Sequence, residues 1–146
     1  MKFVSVTRLK IRKLWFLPGF VWHSVRSMRQ ARRLDSNVRT SLVKDRGLVF
    51  WTITVWENQE AMRAFRNSGA HKAAMPKLFE WCDEATYVHW LQENDAPPDL
   101  KTAYNRLVAE GVVSRVKHPS GNHATRAFQV PKEQAFSKRA LERGKS

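Results

Sequence analysis

The chain has 146 residues, a formal net charge of +13, 42% hydrophobic residues, six Trp and one Cys. That length is one domain with a real core and room for a tail. A single cysteine, Cys82, excludes an intramolecular disulfide and fits a reducing cytosol, and no stretch approaches the roughly 20 apolar residues of a membrane-spanning helix.

Phe3–Lys10 alternates as a strand, with Phe3, Ser5, Thr7 and Leu9 on one face and Val4, Val6, Arg8 and Lys10 on the other. This alternation also speaks against a signal peptide at Met1–Lys10. The nearest candidate for a membrane segment, Leu14–Val25, is short and interrupted by Pro18, Gly19 and His23. Pro18 suits the first turn of a helix running to about Leu34. Its expected buried stripe is Leu17, Val21, Ser24, Met28 and Ala31, with Arg26, Arg29 and Arg33 outside. Val38–Lys44 is a second strand, Asp45-Arg46-Gly47 a hairpin loop, and Leu48–Trp56 a third strand apolar or Thr on both faces.

Asn58 is a good N-cap for a helix over Gln59–Asn67. Ser68 is placed to cap the next helix, and Pro76 to break or kink it. Thr86–Trp90 is the fourth strand. The order β-α-β-β-α-β is the ferredoxin-like arrangement, an α+β fold. One sheet face packs on the helices. The other needs a cover, and a homodimer through that sheet face is the economical one. The chain thus divides into a ferredoxin-like unit over 1–92 and a C-terminal extension over 93–146. Within the extension, Asn94–Pro98 is a linker and Asp99–Glu110 an amphipathic helix ended by Gly111. Val112–Lys117 reads as a strand, His118–Asn122 as a turn and Ala124–Val130 as extended chain. The tail, 131–146, is basic, and its polar part Gln134–Ser146 is expected to fray.

Charge is unevenly spread. Met1–Asp35 holds nine Lys/Arg against one acid, while Cys82–Leu100 holds five acids and no Lys or Arg. An electropositive end favours anionic partners: phospholipid headgroups, nucleic acid or an acidic redox protein. Nucleic acid ranks lowest, because no base-reading module or Gly-rich loop accompanies the charge. Leu14–Trp22 (LWFLPGFVW), flanked by Arg12-Lys13 and Arg26/Arg29, suits peripheral contact with an anionic membrane; alternatively it covers one end of the barrel.

The run Phe50–Glu57 (FWTITVWE), with Ala61–Phe65 (AMRAF) and Ser68–Met75 (SGAHKAAM), resembles the dimeric α/β-barrel superfamily. That superfamily includes the antibiotic-biosynthesis monooxygenases. Within it the chain is most similar to a bacterial domain family of unknown function, sometimes grouped with spheroidene-monooxygenase-like proteins. The resemblance covers about Met1–Gln92, and Pro97–Glu110 with His118–Val130 looks like that family's C-terminal extension. It implies a pocket between sheet and helices for a small apolar or aromatic ligand, with oxygenation by haem or with no cofactor at all. Fold membership alone supplies no mechanism.

His71, at a helix start, is the candidate catalytic residue: a proton shuttle, or an iron ligand if haem is bound. Its structural alternative is to hold the Ser68–Ala70 corner. Met75 shares its helix face. Trp51 and Phe65 are candidate ligand walls, and Arg8, Thr52 and Asn67 candidate polar anchors, with Thr7, Thr54 and Ser68 nearby in the same reading. Trp51 and Trp56, an odd number of positions apart, must face opposite sides of the sheet. Tyr87 and His89 share a face of the last strand, His23 lies on the first helix, and His118 and His123 flank the late turn. No spacing typical of a zinc site appears. Cys82, beside Asp83 and Glu84, should have a raised thiol pKa, which argues against a nucleophile. A non-enzymatic ligand-binding dimer is the rival reading.

Overall fold

The computed structural model describes residues 1–132 and 143–144. The elements are β1 (Lys2–Ile11), α1 (Leu17–Arg32), β2 (Asn37–Lys44), β3 (Val49–Trp56), α2 (Gln59–Arg66), α3 (Gly69–Trp81), β4 (Cys82–Gln92), α4 (Leu100–Glu110), β5 (Val112–Val113) and β6 (Arg143–Gly144). The sheet order is β5-β4-β1-β3-β2-β6, and each neighbouring pair is antiparallel. Its central four strands have the ferredoxin-like order. The expected fold class is the observed one, with α2 and α3 together in the place of the second helix.

Local signals act where their chemistry predicts. The Asn58 side chain accepts the Ala61 N–H at 2.8 Å and starts α2. Gly47 takes φ +66 in the β2–β3 turn. Asp99 caps α4 by accepting the Thr102 N–H at 2.7 Å. Gly111 ends α4 without a left-handed φ, since its φ is −64. A glycine is needed for space instead: a Cβ there would lie 2.3 Å from the Leu107 carbonyl oxygen.

Both sheet faces are covered within one chain. On one face, Phe3, Leu9, Phe50 and Trp56 pack against Phe20, Met28 and Ala31 of α1 and Met62 and Phe65 of α2. On the other, Val4, Val6, Trp51, Ile53, Val55 and Val88 pack beneath Ala103 and Leu107 of α4 and beneath Phe128. This corrects the expectation that a second copy covers that face. The extension covers it, because the apolar stripe of α4 needs burial as much as the strands do.

Other local readings also shift. Phe20, not Val21, enters the core; Val21 is 43% exposed and Phe20 3%. α1 is rotated so that the Phe20 ring meets Phe50 at 4.8 Å between centroids. Pro76 lies inside α3, exposed, and does not break it; its missing N–H removes one backbone bond of the helix. Ser68 donates back to the Ala64 carbonyl at 2.8 Å and does not cap α3. Only Val112–Val113 of the expected Val112–Lys117 strand pairs with β4. Residues 121–126 are turns, so Ala124–Val130 is not uniformly extended. Arg126, at φ +57, there donates to the Val108 and Gly111 carbonyls at 3.0 and 2.9 Å, closing the end of α4. The fraying expected of Gln134–Ser146 lies outside the described residues, except that Arg143–Gly144 pair with Thr40 and Arg39 of β2. No described helix is long and apolar enough to cross a membrane.

Candidate functional site

Strand register decides what lies between the sheet and α1–α3. On that face, one row across β4, β1, β3 and β2 reads His89, Ser5, Thr54, Thr40. The next reads Tyr87, Thr7, Thr52, Leu42. Above this hydroxyl-rich floor is a cavity of about 420 Å³, within the usual range of ligand sites. Its walls and roof are largely apolar or aromatic: Phe20, Met62, Phe65, Ala74, Leu78 and Trp81. Three histidines line it, His23, His71 and His89, together with Arg66 and Arg115. Among the described lining residues there is no carboxylate.

His71 is the most constrained of the three. Its ring stands 4.5 Å from the Phe65 ring. Its Nδ1 lies 3.3 Å from the Arg66 carbonyl oxygen. A carbonyl only accepts, so Nδ1 donates and the neutral ring keeps its lone pair on Nε2. Burial pushes the imidazole below its ordinary value; the Arg66 charge adds to this and the bond to the Arg66 carbonyl opposes it. His89 is lowered likewise by burial, then by Arg66 and Arg63. His23 is lowered by burial, then by Lys77 and Arg26. His71 and His89 both feel the Arg66 charge, whereas His23 lies beside Trp81 at the C-terminal end of α3, 5.8 Å between rings.

Gln30 of α1 holds the corner before His71. Its Nε2 donates to the Phe65 and Ser68 carbonyls at 3.2 and 2.9 Å, and its Oε1 accepts the His71 N–H at 2.9 Å. Gly69 lets the corner close on it. Its φ is +57, and a Cβ there would lie 3.0 Å from Gln30 Cδ. Gly69→Ala is therefore expected to cost about 1–2 kcal/mol from the left-handed backbone alone. Urea unfolding measures it, and an unchanged midpoint would show that the corner relaxes freely.

The structure brings four of the seven candidate residues to this cavity: His71, Phe65, Thr52 and Met75. Thr7 and Thr54 join them. Arg8 does not, because it neighbours Thr7 on a strand and so faces the other side. There it is buried, its Nη1 donating to Glu84 Oε1 at 2.6 Å. Trp51 also faces away from the cavity, its Nε1 donating to Asp45 Oδ2 at 3.1 Å. Of the tryptophan pair it is Trp56 that lies on the helix side, 5.0 Å from the Phe65 ring. Asn67 is the exposed C-cap of α2. His123 is structural: Nε2 meets the Ser114 carbonyl at 2.8 Å and Nδ1 the Ala85 N–H at 3.4 Å. Burial and then Asp83 push the Cys82 thiol up to about 12, so it is no nucleophile. No cluster of three metal-ligating side chains occurs among the described residues.

Sequence reasoning left out Ser5 and Gln30 and gave Tyr87, His89 and His23 no role. Period-2 parity was enough to place Ser5 with Thr7, and Tyr87 with His89. Nothing local pointed to Gln30, 41 positions from His71.

Solved structures share this architecture. SnoaB, a cofactor-independent oxygenase from Streptomyces nogalater, superposes in a mutant form at a TM-score of 0.54 and 16% identity, over 64% of this chain and 94% of that one. Rv0793 from Mycobacterium tuberculosis gives 0.59 and 10% identity, over 64% and 97%. An antibiotic biosynthesis monooxygenase gives 0.57 and 13% identity, over 63% and 99%. At such identities the likeness is one of fold. No curated protein matches the sequence. A family model does match, over residues 15–110, from the turn before α1 to the end of α4. The chain belongs to that family, described as Domain of unknown function (DUF3291), on a ferredoxin-like fold shared with these structures.

Proposed function

We propose that the cavity binds a small apolar or aromatic molecule with an acidic CH₂ beside a carbonyl and oxygenates it without a cofactor. The observation that carries this is His71: a ring whose pKa is lowered by burial, with Nδ1 held on a carbonyl and Nε2 free to take a proton inside an apolar enclosure. An imidazole held below its ordinary value is neutral at neutral pH and so able to accept a proton. The hydroxyls of Thr52, Thr54 and Tyr87 and the charge of Arg66 line the same space and would steady an enolate oxygen.

In this reading Nε2 takes one proton from the CH₂. The enolate passes an electron to dioxygen and the two radicals combine, forming a C–O bond. The imidazolium returns its proton to the peroxide. Nε2 then removes the second C–H proton, the O–O bond breaks, and hydroxide leaves as water with that proton. The sum is CH₂ + O₂ → C=O + H₂O. The neighbouring SnoaB, cofactor-independent by its own description, supports such chemistry on this fold.

Haem would find one donor here: His71 Nε2 would hold the iron, which would supply oxygen activation. An absorption spectrum with added haemin distinguishes the cases, since a sharp Soret shift abolished in His71→Ala would assign iron to this ring. The decisive test is oxygen consumption with a panel of aromatic ketones that carry such a CH₂. His71→Ala is expected to lower turnover about 10²–10⁴-fold while ligand-induced thermal shifts persist. Unchanged turnover would overturn the assignment. The lack of any carboxylate among the described lining residues favours a second reading, a ligand carrier. That reading expects equal binding and no turnover in both forms.

A further inference from the structure

The aromatic turn and first helix leave several large apolar side chains in water. Leu14 is 70% exposed, Trp15 72% and Trp22 56%. They are ringed by cations. Lys13 Nζ lies 5.6 Å from the Trp15 ring centre, and the Arg26 guanidinium 4.7 Å from that of Trp22. Arg12–Arg33 contains six Lys/Arg and no acid. A contiguous apolar patch with a charged rim marks an interaction surface.

The patch is also continuous with the cavity. The Trp22 ring is 5.1 Å from that of His23, which lines the cavity. On α3, Met75 and Phe79 are at once cavity lining and large exposed hydrophobics.

We infer that this patch docks on an anionic phospholipid bilayer and that the cavity mouth beside it receives a lipophilic ligand from the membrane. Exposed indole beside Lys or Arg is the chemistry of the bilayer interface: the ring enters the headgroup layer while the cation stays with the phosphates. Anionic lipid supplies the charge complement. A second copy of the chain does not, because a two-fold contact would set this basic rim against itself. The route of the ligand rests on the cavity being the ligand site. The docking does not, and its test requires neither ligand nor turnover, so the two can fail separately.

The experiment is co-sedimentation with vesicles of phosphatidylcholine alone and of phosphatidylcholine mixed with phosphatidylglycerol. Binding is expected to the mixed vesicles and to weaken with salt. Arg26→Gln and Arg29→Gln should each lower the partition roughly fivefold. Trp15→Ser with Trp22→Ser should abolish sedimentation while circular dichroism shows the fold intact. No sedimentation by the native protein would overturn the inference. So would sedimentation indifferent to the tryptophans, binding to a single-stranded oligonucleotide in place of vesicles, or a lipid-free dimer that the Trp pair dissociates.

Discussion

Replacing Arg8 by Met is expected to lower the free energy of unfolding by about 3–5 kcal/mol, the cost of stranding one member of a buried ion pair. The Arg8 and Glu84 side chains are only 4% and 5% exposed, with N and O 2.6 Å apart. The guanidinium also lies 4.4 Å from the centre of the Phe128 ring, and Glu84 Oε2 accepts the Ser120 hydroxyl at 2.6 Å. The pair therefore joins β1 and β4 to the extension that covers this face. Methionine fills the stem's volume but, among the described residues, leaves Glu84 with Ser120 and, at 3.9 Å, Lys10. Replacing both partners by apolar residues should restore much of the loss, because the penalty is for an unpaired charge. Urea titration of the two single variants and the double variant measures this. A loss below about 1 kcal/mol would place the pair among screened surface contacts.

The same pair sets an acid response. Burial alone would raise the Glu84 pKa, but hydrogen bonds from Ser120 and Arg8, with the charges of Arg8 and Lys10, hold it below its ordinary 4.5. A carboxyl lowered in the folded state contributes stability above its unfolded pKa and loses it as pH falls through the folded one. The native protein should thus lose this contribution below about pH 4.5. Arg8→Met should lose less there, because its Glu84 no longer has the guanidinium holding its pKa down.

Trp51→Ala is expected to cost about 3–5 kcal/mol, the usual price of emptying a large aromatic site. Trp51 is fully buried on the α4 face. Its indole N–H holds Asp45, whose other oxygen accepts the backbone N–H of Arg46 at 2.7 Å and of Lys132 at 2.9 Å. The ring thus fixes the β2–β3 hairpin loop to Lys132 of the extension. Trp51→Phe keeps most of the ring but leaves an Asp45 oxygen unpaired, for about 1–3 kcal/mol. Neither change should alter ligand affinity beyond what instability causes, since the ring faces away from the cavity. A shift in affinity with stability unchanged would return Trp51 to the ligand site.

Where one turn of chain carries the information, reading residues in order was sufficient. Asn58 capping α2, Gly47 at positive φ and the β-α-β-β-α-β order each follow from side chains a few positions apart. Parity within one strand is equally local, so Trp51 and Trp56 had to diverge and Thr7 had to part from Arg8. Which of the two faces holds the cavity is not local, because Leu48–Trp56 is apolar or Thr on both sides. Register settled it, by setting Thr7 against Thr52 and Tyr87 and so gathering the hydroxyls under α1–α3. The same holds for Phe20 against Val21, a rotation of one helix by its neighbours, and for Gln30, which reaches His71 across the fold. The cover of the far face was the largest departure. Sequence alone requires that this apolar face be buried. Only the tertiary structure decides between a second copy and α4 with Phe128, because each would remove the same side chains from water and burial itself is indifferent to which chain supplies the cover.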